Sequence, residues 1–178
     1  HLSESKFEVE IHESIHGHRP VKWLHANGLL SDRTTFAHGI WLDDEEIELL
    51  GNAKSTIIHN PVSNQFLASG IIKLGPLLRA GANVALGTDG VAVAGQDMFE
   101  SMKSAQMLQH LREYDAESTS AELMLHLACR NGGQMLRKNV GVLKVGALAD
   151  FISVDLRGPH NQPATRAVCC LTSSARGS

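Results

Sequence analysis

Apolar residues first recur at helical spacing, at Phe7, Ile11 and Ile15, just after Ser5-x-x-Glu8, the pattern of a capping box. A second helical stretch is predicted from Pro20, with Val21 and Leu24 on one face, to near Gly28. The pattern then changes. TTFAHG (34–39), STIIHNP (55–61) and NVALGTDG (83–90) are short apolar runs bounded by turn residues, and each reads as a buried strand. Between them, DDEEIELLGNA opens on acids that suit the positive end of a helix. IIKLGPLLRAG predicts a short helix interrupted at Gly75-Pro76. Helices follow over 97–112 and 119–137, the second opened by Thr119-x-x-Glu122. ADFISVD (149–155) reads as a last clear strand, and RAVCCLT (166–172) as a weaker one.

Successive strands are separated by roughly 20–25 residues that hold a helix, which is the rhythm of βα units and a parallel sheet. The fold class is therefore α/β. Near residue 140 the pattern passes from helices to short strands punctuated by Gly141, Gly146 and Gly158, so a boundary is expected there.

Composition narrows the function classes. The chain has 178 residues, 43% hydrophobic and 20% charged, as in ordinary globular proteins. A net charge of -3 gives no reason to expect nucleic acid or an anionic membrane as partner. No apolar run approaches the length of a membrane span. Cys129, Cys169 and Cys170 imply no disulfide framework, so a reducing cytoplasm is the expected compartment. Ten histidines are the unusual feature.

Several of those histidines fall at strand ends. His38 closes TTFAH, His59 closes STIIH, and Asp89 closes NVALGTD. His1 and Glu4 lie just before the first helix, where an earlier strand would end. In a parallel α/β barrel the carboxyl ends of the strands share one face, and a doubly wound sheet also gathers them. Histidine and aspartate from separate strands suit a divalent metal such as zinc or ferrous iron. Such an ion lowers the pKa of a bound water to about 7. A carboxylate beside that water takes its proton, and a neutral histidine orients it or polarises the bond under attack. Each residue alone has a simpler reading. A histidine at a strand end is more often a hydrogen-bonded structural residue, Asp89 in Gly-Thr-Asp-Gly suits a turn, and HNPVSN suits a polar loop. The conjunction favours a site, with His59, Asn60, Ser63 and Asn64 touching substrate or bracing the ligands.

The motifs HLSES, AHGIWLDDEE, HNPVSN with LASG, LGTDG with DMFE, and VGALADFISVD occur in an order that resembles the amidohydrolase superfamily. The nearest branch is that of triazine chlorohydrolases, guanine deaminases and S-adenosylhomocysteine deaminases. The resemblance implies a metal-dependent (β/α)8 TIM barrel with a small β-sandwich. Residues 1–140 would then be the second half of the barrel, from the end of strand 5 to strand 8, and residues 141–178 part of the sandwich. It further implies His1 and Asp89 as ligands of one divalent metal, zinc first and iron second. Glu4 would pass a proton to a substrate ring nitrogen, His38 would position the water or polarise the reacting carbon, and Asp89 would act as base.

The family's His-x-His pair on the first strand has no counterpart ahead of His1. His16-Gly17-His18 has that spacing but follows a helix, and is assigned no ligand role. The chain is accordingly expected to be an internal part of a longer enzyme. Alone it would be poorly stable and inactive, with open sheet edges and two metal ligands in place of the usual three or four.

The expected reaction is hydrolytic deamination of a ring carbon in a purine- or triazine-like small molecule. Loss of chloride or of an alkylamine is the alternative within the branch. A silent barrel or a binding module is the alternative from another class. HNPVSN and DMFESM lean towards the S-adenosylhomocysteine and methylthioadenosine deaminases, in which a serine commonly follows the aspartate by four residues. Val93 stands there, so the substrate is left open. A homodimer is common in the family.

Overall fold

A computed structural model describes residues 1–93, 95–155 and 157. Its centre is a three-stranded parallel sheet in the order β1 (Thr35–Ala37), β2 (Thr56–His59) and β3 (Asn83–Leu86). Thr35 pairs with Thr56, Ala37 with Ile58, Thr56 with Asn83, and His59 with Leu86. Residues 1–4 extend this sheet on its β1 side. Leu2 forms a parallel bridge with His38, donating its N–H to Ala37 O (3.0 Å) and accepting from Gly39 N (2.9 Å). The four segments that carry the candidate residues therefore run side by side in one direction.

Helices cover the sheet. α1 (Lys6–His16) starts where the Ser5 hydroxyl accepts from Glu8 N and stops at Gly17, which takes a left-handed φ of 70°. Glu8 does not close the expected reciprocal box on Ser5. Its carboxylate reaches back to the N–H groups of Ser3 and Glu4, both at 2.8 Å. α2 (Pro20–Ala26) begins with proline in its first turn, where no backbone donor is lost. α3 (Asp44–Asn52) carries the full capping box, between Asp43 and Glu46. Glu46 is buried, and its carboxylate also takes Arg19 and Val21 N, tying α2 to α3.

Pro61, expected only to end a strand, opens α4 (Pro61–Phe66). Gly75 and Pro76 do not interrupt the next helix. They lie in the first turn of α5 (Leu74–Ala80), where the missing proline N–H costs nothing. α6 spans Met98–Glu113, capped by Asp97. The helix expected over 119–137 is α7 (Ala121–Leu125), a π-helical turn (His126–Arg130) and α8 (Asn131–Leu136). Its cap is Ser120, which accepts from Leu123 N, one residue later than the Thr119 pattern suggested.

The core lies between sheet and helices, where Leu50, Ile57, Leu77, Val84 and Leu127 are completely buried. Each such side chain contributes about 1.5–3 kcal/mol. α3 and α5 meet at Gly51, where an added Cβ would lie 2.1 Å from Ala80 O. ADFISVD is not a strand. Residues 149–155 lack regular structure and are exposed, and no described strand pairs with them. RAVCCLT lies outside the described residues.

Candidate metal and catalytic site

The residues that follow the strands turn sharply. Ser3, His38 and Asp89 have positive φ values of 48°, 76° and 62°. Non-glycine residues seldom adopt this conformation, and it recurs where a site demands a particular side-chain direction. Here all three lie in the segments that meet around His38.

His38 is the centre. Its Nε2 lies 3.6 Å from Glu4 Oε2 and 3.8 Å from Asp89 Oδ2. Its ring stacks on that of His1, with centroids 5.2 Å apart. One ligand atom each from His1, Glu4 and His38 lies within 4.8 Å of the other two. The expected pair of ligands was His1 and Asp89. Asp89 reaches this group from the His38 side.

Several buried polar atoms around His38 have no partner. His38 Nε2, both ring nitrogens of His59, Ser63 Oγ and Asn64 Nδ2 make no hydrogen bond among the described residues. Unsatisfied buried groups of this kind are costly, and this set has the chemistry to receive a polar or cationic ligand. Two imidazoles beside two carboxylates, one imidazole with a free buried nitrogen, fit a zinc-like divalent ion.

The surrounding residues orient this set. Asn64 Oδ1 lies 2.9 Å from His38 Nδ1. With the oxygen accepting, Nδ1 donates to it, and Nε2 is left facing the carboxylates of Glu4 and Asp89. The Asp89 carboxyl is held below the usual range, chiefly by the neighbouring Ser63 hydroxyl; burial opposes this, and Gly90 N–H and His38 add to it. Gly90 N–H donates at 2.8 Å, whereas Ser63 Oγ is near Asp89 without a well-formed hydrogen bond. His59 is fully buried, and burial followed by His38 lowers its pKa to about 3, so it stays neutral. It is not the hydrogen-bonded structural histidine that its position alone suggested. Asn60 packs over Gly87, where an added Cβ would lie 2.4 Å from its Oδ1.

All eight candidate residues thus come from four neighbouring segments at one end of the sheet. His16, by contrast, is exposed and packs its ring against those of the half-buried His12 and Trp23. Two participants were missed. Ser69 Oγ donates to Glu4 Oε1 (3.1 Å), and Trp41 Nε1 donates to Ser69 O (2.7 Å). Ser69 stood in the LASG motif with no role, and nothing in the sequence pointed Trp41 towards it.

The model of the amidohydrolase family matches residues 1–173. The chain belongs to the amidohydrolase family. Among its relatives is a 5-methylthioadenosine/S-adenosylhomocysteine deaminase of Thermococcus sibiricus, 44% identical over 178 residues, which cover 99% of this chain and 42% of that protein. A 5'-deoxyadenosine deaminase of Methanosphaera stadtmanae is 37% identical over 179 residues, covering 100% of this chain and 42% of the relative. Among solved structures, an adenosine deaminase from Xanthomonas campestris with bound zinc superimposes with a TM-score of 0.90 at 33% identity, over 98% of this chain and 40% of that one. The chain thus spans about two fifths of the length of these amidohydrolase relatives. Among the described residues no helix is long and apolar enough to cross a membrane.

Proposed function

We propose that this chain forms the second half of a metal-dependent amidohydrolase barrel, and that the whole enzyme removes an amino group from a purine ring. Residues 1–140 belong to the barrel, and residues 141–178 contribute to a small β-sandwich. The observation that carries the reading is the convergence of Glu4, Asp89 and His1 on the buried, unpartnered Nε2 of His38.

His1 and Asp89 would hold the ion, with zinc preferred because a similar solved structure contains it. When bound, the ion supplies a water whose pKa is lowered to about 7. Asp89, kept anionic by its surroundings, accepts the proton of the attacking water. His38 directs that water through Nε2. Glu4 delivers a proton to the ring nitrogen beside the attacked carbon, so negative charge does not accumulate on the ring. Asp89 then returns its proton to the departing amine, which leaves as ammonia, and the proton of the new hydroxyl passes back to Glu4 as the carbonyl forms. Water is consumed, and one C–N bond is exchanged for C–O.

The names of the relatives suggest adenosine derivatives altered at the 5′ position as substrates. The test uses the zinc-loaded full-length polypeptide that contains these residues. Ammonia release is measured with 5′-methylthioadenosine, S-adenosylhomocysteine, 5′-deoxyadenosine and adenosine, with guanine and a chlorotriazine alongside. Glu4→Gln is expected to lose roughly 100- to 10,000-fold in rate while keeping its metal. Chloride release from the triazine alone would move the assignment to the chlorohydrolases, and full activity of Glu4→Gln would remove it.

A further inference from the structure

We propose that Ser69, anchored by Trp41, is the positioning residue that decides which oxygen of Glu4 carries the transferred proton. This rests on the reading of Glu4 as proton carrier. Glu4 is held at both ends. Its backbone N–H, with that of Ser3, is fixed by the Glu8 carboxylate at 2.8 Å. Its Oε1 accepts from the Ser69 hydroxyl at 3.1 Å.

Ser69 is itself closely fixed and only 8% exposed. Its N–H donates to Asn64 O (2.9 Å), and its carbonyl accepts from the Trp41 indole (2.7 Å). Trp41 N–H in turn donates to Ser3 O (2.9 Å), while its carbonyl accepts from the Arg19 guanidinium. Gly70 closes this arrangement with a φ of 126°, and a Cβ there would lie 3.0 Å from Ile40. A non-glycine residue at 70 would push the Ser69 turn off the loop that follows β1. The segment between Asn64 and Ser69 thereby braces both partners of the site. One end orients His38 and the other Glu4.

The chemical consequence lies in the two carboxylate oxygens. Oε1 is engaged as an acceptor by Ser69, while Oε2 faces His38 Nε2 at 3.6 Å. A proton on Glu4 therefore resides on Oε2, the oxygen that faces the substrate. The hydroxyl keeps its own hydrogen, and no proton passes through it. Without Ser69 the terminal torsion of Glu4, which is intrinsically broad, lets either oxygen face inward.

The test compares kcat and KM for ammonia release by the full-length zinc enzyme. Ser69→Ala is expected to lower kcat roughly 10- to 100-fold, the usual loss when an orienting partner is removed, with KM and zinc content unchanged. Ser69→Thr retains the hydroxyl and should recover most of the rate. Trp41→Phe removes only the indole donor and should give a smaller loss, also in kcat. If Ser69→Ala does not fold, Ser69→Cys is read in its place, since it keeps the shape with only a weak donor. A full kcat in the Ala or Cys enzyme, a loss confined to KM, or no recovery with Thr overturns the assignment. Glu4→Gln separates the two readings. If it is inactive while Ser69→Ala is fully active, only the role of Ser69 falls; if it is active, the role of Glu4 falls.

Discussion

Nδ1 of His38 is held by the side chain of Asn64 at 2.9 Å, and both residues are almost wholly buried. This contact fixes the ring plane and leaves Nε2 towards Glu4 and Asp89. Asn64→Ala should lower kcat/KM roughly 10- to 100-fold by releasing the ring. It also leaves Nδ1 buried without a partner, at a cost of about 1–3 kcal/mol in stability. Steady-state kinetics together with urea unfolding check both.

Asp89 meets His38 across 3.8 Å and lies on a turn, away from the apolar core. Asp89→Ala is expected to abolish measurable turnover and leave the circular dichroism spectrum unchanged. Chelation of the wild-type enzyme should likewise stop ammonia release, and zinc should restore it. Elemental analysis should then find about one ion per full-length chain. Activity that survives complete metal removal contradicts the donor set assigned here.

His59 makes a pH dependence predictable. Its folded pKa of about 3 lies far below its ordinary value of 6.5. Between these values the unfolded chain binds a proton that the folded chain refuses, so folded stability falls as pH drops. Well below 6.5 the loss approaches about 1.4 kcal/mol per pH unit, and above 7 it vanishes. His59→Leu removes this titration. Denaturant unfolding at about pH 7.5 and pH 5 should show a shallower pH slope in the variant than in wild type. Equal slopes would mean that His59 is solvated.

Gly51 is required by a close approach of two backbones. With Ala80 O at 2.1 Å from any added Cβ, Gly51→Ala must separate α3 from α5, at about 1–3 kcal/mol. The lesion lies away from the candidate site, so the folded fraction should keep its kcat while the melting temperature falls.

Much of this was legible because short apolar runs ending in His38, His59 and Asp89 are a local signal that survives folding. Strand existence was readable, but strand length was not. TTFAHG supplied six candidates and only Thr35–Ala37 pair regularly, since His38 and Gly39 turn to positive φ. The Gly75-Pro76 break failed because proline in a first helical turn is benign. ADFISVD failed for a different reason. Alternation shows readiness to pair, whereas a strand also needs a neighbour. The Ser69–Glu4 contact spans 65 positions and the Trp41–Ser69 contact 28, beyond the reach of any window along the chain.

The left-handed backbone at Ser3, His38 and Asp89 has a practical consequence for anyone hardening this protein against heat. Each such residue carries a penalty of about 1–3 kcal/mol that a glycine would relieve, but a glycine at position 38 or 89 would also delete the reacting side chain itself. Ruggedness is better sought at the opposite end of the sheet, around the Asp32–Arg137 ion pair and the groove beside Lys54 and Gln134, where none of the candidate catalytic residues lies.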